Sequence, residues 1–260
     1  MKIALIGYGK MGHIIEKIAL ERGHEIVSII DRDNLDDFES AAFGSADVAI
    51  EFTTPATAVA NYRRAWAAGV PVVSGTTGWT EAMPTIEDEL NHNGQTLFWA
   101  SNFSLGVNIL FELNRHLAHI MNAYPTYRVS LTEIHHTAKK DAPSGTAITL
   151  AEEAIAAIDR LERWQLIEPV ELSTTSQNTV RHGGYAASSI AADTLPVTAL
   201  RQGAVPGIHE MVYTSAVDRL SIRHEAFSRD GFALGAVMAA EFIHQHHPTG
   251  LLSMHDMLKF

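Results

Sequence analysis

Short runs of β-branched and other apolar residues alternate with longer amphipathic segments over residues 1–100. The period of two predicts strands at Lys2–Ile6, Glu25–Ile30, 48–52, 70–73 and 96–100. The period near 3.6 predicts intervening helices at 10–22, 55–68 and 81–91. This alternation is typical of a parallel, Rossmann-like sheet. Only about fifteen residues separate Asp31 from Asp47, so the second crossover helix is predicted to be very short or missing.

The pattern changes after Ser104, where a long helix runs to about Met121 and a strand is predicted at 127–134. Strand-like runs then predominate from 170 to 227, with turn signals at Gly183-Gly184, Pro206-Gly207 and Val217-Asp218. We expect the final helix, at 231–246, to pack back on the first domain. The fold class predicted is α/β, with a Rossmann-like dinucleotide-binding domain at 1–104 and 228–260. An α+β substrate-binding and oligomerisation domain with an open mixed sheet would occupy 105–227.

Composition narrows the possible partners. The formal net charge of −11 is spread along the 260 residues, which makes nucleic acid an unexpected ligand, and the absence of cysteine excludes disulfides and thiolate metal sites. The apolar run after Lys2 is too short for a signal peptide. The longest apolar stretch, 232–243, is interrupted by Gly235 and Glu241 and falls short of the roughly 20 residues that a membrane span needs. We therefore expect a cytoplasmic protein that binds no membrane.

A glycine-rich segment follows the first predicted strand and opens the first helix. Gly7, Gly9 and Gly12 form the pattern GxGxxG, in which glycines permit a tight turn, close approach of a pyrophosphate and close helix packing. Asp31 ends the second strand, where a carboxylate accepts hydrogen bonds from the adenosine ribose of NADH. Arg32 and Lys10 are suited to the 2′-phosphate of NADPH, or are simply solvated side chains. The prediction is a site for NADH and NADPH formed by Gly7, Tyr8, Gly9, Lys10, Met11, Gly12, Asp31 and Arg32; the alternative is a glycine turn with a structural aspartate.

Two further loops follow predicted strand ends, where open α/β sheets bind ligands. Gly75-Thr76-Thr77 follows the fourth strand, and Ala100-Ser101-Asn102-Phe103 follows the fifth. Their small, hydroxyl and amide groups are suited to contact with a nicotinamide ring, although ordinary turn chemistry explains them equally well.

The densest reactive chemistry lies between residues 133 and 147. His135, His136, Lys139 and Lys140 precede Pro143, which introduces a helix. Histidine transfers protons near neutral pH, and lysine binds a carboxylate or donates a proton. The N–H groups at the start of that helix, at Gly145-Thr146, form an anion site. Together these features predict a pocket for a small carboxylated substrate that needs a proton as well as a hydride.

This segment resembles the signature of the 4-hydroxy-tetrahydrodipicolinate reductases, Glu-x-His-His-x-x-Lys-x-Asp-Ala-Pro-Ser-Gly-Thr-Ala, at every fixed position. The likeness extends to the loops at Gly7, Gly75 and Asn102-Phe103-Ser104 and to Arg201-x-Gly203 with Pro206-Gly207-x-His209. Two features depart from the family pattern: the short segment before Asp47, and the run Glu51-Phe52-Thr53-Thr54-Pro55, where the family usually has aspartate.

The resemblance implies that NAD(P)H delivers hydride to C4 of the ring of a small dicarboxylate, with loss of the 4-hydroxyl group as water. It implies proton-transfer roles for His135 and Lys139, and substrate contacts from His136, Ser144, Gly145 and Thr146. It also implies a homotetramer assembled through the sheet of the second domain.

Two other functions are compatible with parts of the sequence. A different Rossmann reductase, acting on an amino acid or a sugar, would explain residues 7–31 but not 133–147. A catalytically silent NAD(P)H sensor would not need His135 and Lys139. His244, His246 and His247 lie at a helix end, where histidine is favourable against the helix dipole, so no metal site is predicted there. Arg201 and His209 are interpreted as polar residues of a glycine- and proline-containing loop and are left out of the catalytic set.

Overall fold

The computed structural model describes residues 1–167 and 190–259. In chain order the described elements are β1 (Lys2–Ile6), α1 (Lys10–Glu21), β2 (Glu25–Ile30), a 3-10 helix (Leu35–Glu39), α2 (Ala41–Gly44), β3 (Val48–Glu51), α3 (Pro55–Ala67), β4 (Val72–Ser74), a 3-10 turn (Thr80–Ala82), α4 (Met83–Asn93), β5 (Thr96–Trp99), α5 (Leu105–Asn122), β6 (Arg128–His135), α6 (Gly145–Ala157), β7 (Arg163–Ile167), β8 (Thr194–Arg201), β9 (Gly207–Thr214), β10 (Arg219–Ala226), α7 (Asp230–His246), β11 (Gly250–Leu252) and α8 (Met254–Leu258).

The chain divides into two compact units. The first comprises Met1–Asn108 and Arg229–Phe260, and the second comprises Ile109–Ser228, so the boundary falls within α5. Each unit has its own sheet, which confirms the predicted α/β class with a Rossmann-like sheet and a separate mixed sheet. The predicted turn at Gly183-Gly184 lies outside the described residues.

The sheet of the first unit, called sheet A, contains six parallel strands in the order β11-β5-β4-β3-β1-β2. Alternate residues of each strand enter opposite cores, as the pleat requires. Ile3 and Leu5 pack with residues of α1 and α7 on one face, and Ala4 and Ile6 pack with residues of α3 and α4 on the other. Burial on both faces explains why these strands are apolar runs.

Most predicted elements of the first unit are confirmed to within two residues, and β1 and β2 agree at both ends. The second crossover consists of the 3-10 helix and the four-residue α2, which confirms the very short connection. The prediction that the helix at 231–246 is the final helix is wrong, because α8 follows it after the short strand β11. The expected packing of that helix is confirmed within this unit. A Cβ atom on Gly235 of α7 would lie only 1.8 Å from the carbonyl oxygen of Phe103.

The apolar stretch at 232–243 lies within α7, where Ala236, Val237 and Ala240 are fully buried in the core of the first unit. None of the helices in the described ranges is long and apolar enough to cross a membrane.

The sheet of the second unit, called sheet B, has the order β10-β9-β6-β8-β7. β7 and β8 run parallel to β6, whereas β9 is antiparallel to β6 and β10 is antiparallel to β9, so the predicted mixed sheet is confirmed. Leu131 of β6, Leu150 of α6 and Tyr213 of β9 are buried in its core. The hairpin between β9 and β10 turns at Ser215, whose N–H donates to the carbonyl oxygen of Asp218.

Candidate active site

The three glycines of the loop in the first unit have different roles. Two are required by close backbone contacts, and the third leaves open space. Gly7 has a φ of +90°, and a Cβ atom there would lie 2.2 Å from the carbonyl oxygen of Phe52. A Cβ on Gly12 would lie 2.5 Å from the carbonyl oxygen of Gly7, whereas nothing lies within 4 Å of one on Gly9. Gly9 is the N-cap of α1 and no side chain caps that end, so its first N–H groups remain suited to a phosphate.

The residues beside Gly9 differ in what they offer. Lys10 is exposed and Met11 is half-buried in the first turn of α1. The Tyr8 hydroxyl donates to Glu16, and the Tyr8 ring packs against His13 at 4.0 Å between ring centroids. The side chain of Tyr8 is thereby committed to α1, which leaves its backbone for a ligand.

Asp31 and Arg32 are exposed residues in a turn that follows β2. Asn34 shapes this turn, because its side-chain oxygen accepts from the Asp31 N–H at 2.7 Å and its side-chain nitrogen donates to the Ile29 carbonyl at 2.8 Å. The Asp31 carboxylate accepts from the Arg32 N–H at 2.9 Å. The carboxylate of Asp31 is therefore held at the end of β2, where a ribose hydroxyl binds in Rossmann folds.

The loop after β4 is built mainly from structural contacts. A Cβ on Gly75 would lie 2.2 Å from the ring of Phe52, so only glycine fits there. Thr76 is 5% exposed, and its hydroxyl accepts from the Thr53 N–H at 2.9 Å and donates to Glu51 at 3.0 Å. Thr77 is exposed. Of the predicted cofactor residues in this loop, Thr77 thus retains a free surface for a ligand.

The loop after β5 shows the same division. Ala100 and Phe103 are buried in the core of the first unit, whereas Ser101 is exposed. The Asn102 side chain accepts from the Ser104 N–H at 2.9 Å, and the Asn102 carbonyl accepts from Asn108 at 2.9 Å. These bonds fix the backbone of the loop.

In the second unit, three neighbouring strands bring four polar side chains together. Glu133 of β6 is fully buried, and its Oε2 lies 2.8 Å from Nδ1 of His135. Its Oε1 accepts from Nη2 of Arg201, at the end of β8, at 3.0 Å. His209 of β9 is opposite Glu133 in the strand register, with Nε2 at 3.9 Å from Oε2. Gly207 makes room for this cluster, because a Cβ there would lie 3.1 Å from Nε2 of His135.

The charges of this cluster follow from its surroundings. Burial acts to raise the pKa of Glu133, but the contacts with His135, Ser144 and Arg201 outweigh burial and lower that pKa to about 2. Burial, together with the nearby His135, lowers the pKa of His209 to about 3. At neutral pH Glu133 is thus an anion clamped by Arg201, and His209 is a neutral imidazole. The carboxylate lies 2.8 Å from the imidazole of His135, close enough to favour its protonated form.

The predicted anion site at the start of α6 adjoins this cluster. Ser144 is the N-cap of α6, and its hydroxyl accepts from the Ala147 N–H at 3.3 Å. The same hydroxyl lies 3.0 Å from Nε2 of His209. Gly145 is exposed and has open space where a Cβ would be, and Thr146 is half-buried. The first N–H groups of α6 therefore face a position that an anion can reach.

The segment between β6 and α6 distinguishes its two lysines. Lys139 is half-buried, its N–H donates to the His136 carbonyl at 3.1 Å, and its Nζ lies 2.7 Å from Asp141 Oδ2. Lys140 is exposed. Arg201 donates to the Asp141 carbonyl at 2.5 Å, which ties this loop to the end of β8. Lys139 is therefore held by an ion pair with Asp141, whereas Lys140 lies at the surface.

Two residues set aside in the sequence analysis belong to this cluster. The interpretation of Arg201 and His209 as loop residues is wrong, because Arg201 ends β8 and His209 lies within β9. The nearby glycines and proline suggested a loop, although alternate apolar residues in both segments signalled strands. The part played by Glu133 was missed as well, because two of its partners, Arg201 and His209, are distant in sequence.

The cluster of Glu133, His135 and His209 also has the ligand types of a metal site, with one donor atom from each residue within 4.8 Å of the others. The guanidinium of Arg201 on Glu133 places a positive charge where a cation would bind, and Ser144 engages His209. These contacts disfavour a metal.

His246 Nδ1 lies 3.0 Å from the Phe242 carbonyl within α7, as expected for a helix-end histidine.

Comparison with known proteins covers almost the whole chain. A family model described as "Dihydrodipicolinate reductase, N-terminus" matches residues 1–103, and one described as "Dihydrodipicolinate reductase, C-terminus" matches residues 106–258. The 4-hydroxy-tetrahydrodipicolinate reductase of Christiangramia forsetii is 42% identical, covering 99% of this chain and 98% of the relative. The enzyme of the same name from Desulfovibrio desulfuricans is 32% identical, covering 96% of this chain and 95% of the relative.

A solved structure shows the same fold. Dihydrodipicolinate reductase from Paenisporosarcina sp. TG-14, described with dipicolinate bound, superposes with a TM-score of 0.73. It is 21% identical in sequence and the superposition covers 98% of each chain.

Proposed function

Because this chain belongs to the dihydrodipicolinate reductase family, we propose that it reduces 4-hydroxy-tetrahydrodipicolinate to tetrahydrodipicolinate and water. NADH or NADPH supplies the hydride, and one proton is consumed as the hydroxyl leaves as water. The reaction belongs to the diaminopimelate route of lysine biosynthesis. The observation that carries the proposal is the conjunction in the second unit of His135, an ionised Glu133 and the start of α6.

The second unit would bind the charged groups of the substrate and would supply a proton. The N–H groups of Gly145 and Thr146, together with His136 and Ser144, would bind the carboxylates of the substrate. Lys139 and His135 would serve proton transfer, and the negative charge of Glu133, 2.8 Å from His135, would stabilise the protonated ring. Because Arg201 neutralises the buried carboxylate, the cluster can be ionised without water around it.

The first unit would bind the dinucleotide. The open space at Gly9 and the uncapped start of α1 are suited to the pyrophosphate, and Asp31 to the ribose. Arg32 and Lys10 would meet the 2′-phosphate of NADPH. Exposed Thr77 and Ser101 would contact the nicotinamide, with backbone contacts from the remaining predicted residues Gly7, Tyr8, Met11, Gly12, Gly75, Thr76, Ala100, Asn102 and Phe103.

The roles of residues 1–104 with 228–260 as the dinucleotide domain and of 105–227 as the substrate domain are part of this proposal. We further propose a cytoplasmic homotetramer, on the strength of the family resemblance. Light scattering of the purified protein tests the assembly, and a monomer at micromolar concentration would contradict it.

The direct test is an assay with freshly generated 4-hydroxy-tetrahydrodipicolinate, in which NADH and NADPH absorbance are followed separately. His135→Gln or Lys139→Ala should lower turnover by about 100-fold or more and leave the NADH dissociation constant nearly unchanged. Lys140→Ala is the matched control, since that lysine is exposed, and should have much less effect. Near-normal turnover of His135→Gln, or a critical Lys140, would refute the assignment of roles.

The two-carboxylate pocket has a separate test. Pyridine-2,6-dicarboxylate should inhibit competitively against the ring substrate, whereas picolinate, which has one carboxylate, should bind more weakly. Equal inhibition constants for the two compounds would show that the start of α6 does not bind a second carboxylate.

The two alternative functions give different results in the same assays. A silent sensor would bind NADH without turning over the ring substrate. A reductase for an amino acid or a sugar would turn over its own substrate and ignore pyridine-2,6-dicarboxylate. The segment at 133–147, with its buried glutamate, favours neither.

A further inference from the structure

A second buried carboxylate lies in the first unit and has no role in the proposed proton transfer or substrate binding. Glu51 ends β3 and is fully buried. The pKa of Glu51 is raised by burial and lowered by hydrogen bonds from uncharged side chains; no basic side chain is among these causes. Such a carboxylate needs an explanation, because burying an unpaired charge is costly.

Three hydroxyl groups surround this carboxylate. Ser74 Oγ donates to Glu51 Oε2 at 2.6 Å, and Thr76 Oγ1 donates to Oε1 at 3.0 Å. The hydroxyl of Thr53 donates to Oε1 as well. Both oxygens of Glu51 are therefore engaged as acceptors.

The hydroxyl groups around Glu51 are arranged to stabilise an ionised carboxylate. Thr76 Oγ1 also receives the Thr53 N–H at 2.9 Å, and Ser74 Oγ receives the Thr76 N–H at 3.3 Å. Thr53 Oγ1 receives the side-chain amide of Asn61 at 3.2 Å. Because a hydroxyl can accept one bond and donate another, each of the three can accept its N–H group and still donate its proton to Glu51. Burial raises the pKa of Glu51, and the hydrogen bonds from these hydroxyls offset only part of that rise.

The three hydroxyls belong to β4 and to the loops after β3 and β4, at the carboxyl edge of sheet A. This edge is where open parallel sheets bind ligands, and the loop with Thr76 is one that we assign to the nicotinamide. The nicotinamide ring is neutral in NADH and positively charged in NAD+. An ionised Glu51 beside this loop would attract the positively charged oxidised ring more strongly than the neutral reduced ring.

We propose that Glu51 is an electrostatic positioning residue that joins the two loops and favours the oxidised form of the bound cofactor over the reduced form. The inference rests on the proposed function, because it needs the nicotinamide at this edge. A preference for the oxidised form assists hydride donation, since positive charge develops on the ring as hydride leaves.

The test compares dissociation constants of NAD+ and NADH, measured by isothermal titration on the full chain. Glu51→Gln keeps the shape and removes the charge, so it should weaken NAD+ about tenfold more than NADH, which corresponds to a loss of about 1.4 kcal/mol of attraction. Ser74→Ala is the matched control, because it removes one hydrogen bond and keeps the charge. It should change both constants by the same factor.

The outcomes separate the inference from the proposed function. Equal weakening of NAD+ and NADH by Glu51→Gln would overturn the electrostatic role and leave a structural one. If the wild-type chain bound neither form, the cofactor assignment itself would fail and the inference with it. If Glu51→Gln does not fold, as judged by circular dichroism, Glu51→Met supplies the same neutral comparison.

Discussion

Replacing Glu133 with glutamine removes one buried charge and almost no volume. The pKa of this carboxyl is about 2, against an ordinary value of 4.5, because its contacts with His135, Ser144 and Arg201 outweigh burial. At about 1.4 kcal/mol for each pKa unit, the ionised form contributes about 3 kcal/mol to stability. Since the folded-state pKa is depressed, this contribution is present above about pH 4.5 and is lost as the pH falls through about 2.

Urea unfolding of the wild type and of Glu133→Gln at a series of pH values measures this contribution. The difference in free energy of unfolding should be about 3 kcal/mol at pH 7 and shrink between pH 4.5 and pH 2. Glu225→Gln is the control in the same sheet, because its pair with Arg223 is exposed, and it should cost less than about 1 kcal/mol at pH 7. A Glu133→Gln difference that stayed constant across this range would refute the electrostatic account and point to packing.

Four other substitutions test further features of the two units. Gly12→Ala, whose Cβ would lie 2.5 Å from a carbonyl oxygen, should lower the melting temperature. Gly9→Ala, with nothing within 4 Å of its Cβ, should keep that temperature and weaken NADH in a fluorescence titration. Arg32→Ala should weaken NADPH much more than NADH, and equal losses in the two dissociation constants would show that Arg32 does not contact the 2′-phosphate. Ser144→Ala removes the acceptor for the Ala147 N–H and should lower the free energy of unfolding by about 1 kcal/mol, which Ser144→Thr should largely restore.

Local patterns predicted the first unit well, because each buried strand of sheet A is an apolar run followed by a helix with its own start and stop. The strand β11 was missed because it has three residues, Gly250–Leu252, which are too few to show a period. It forms only by pairing with β5, and that contact is between residues far apart in the chain.

The candidate site was predictable where its residues are consecutive and not where they come from different strands. His135 and Lys139 lie in one dense segment, so their chemistry is visible in the sequence. Glu133, Arg201 and His209 meet through the register of β6, β8 and β9, which no local pattern contains. Glu51 shows the same limit, since Ser74 and Thr76 reach it from the next strand along the chain.

The elements that complete sheet A and its core come from both ends of the chain, and this order has a consequence for synthesis on the ribosome. The core face of β1 and β3 packs on α7, and β11 borders β5, yet both elements are translated after the entire second unit. The part of this face that α7 covers therefore stays exposed, with only α1 packed beside it, while residues 109–228 are translated. At about 5–20 residues per second this interval lasts roughly 6 to 24 seconds, during which exposed apolar surface makes the nascent first unit prone to aggregation.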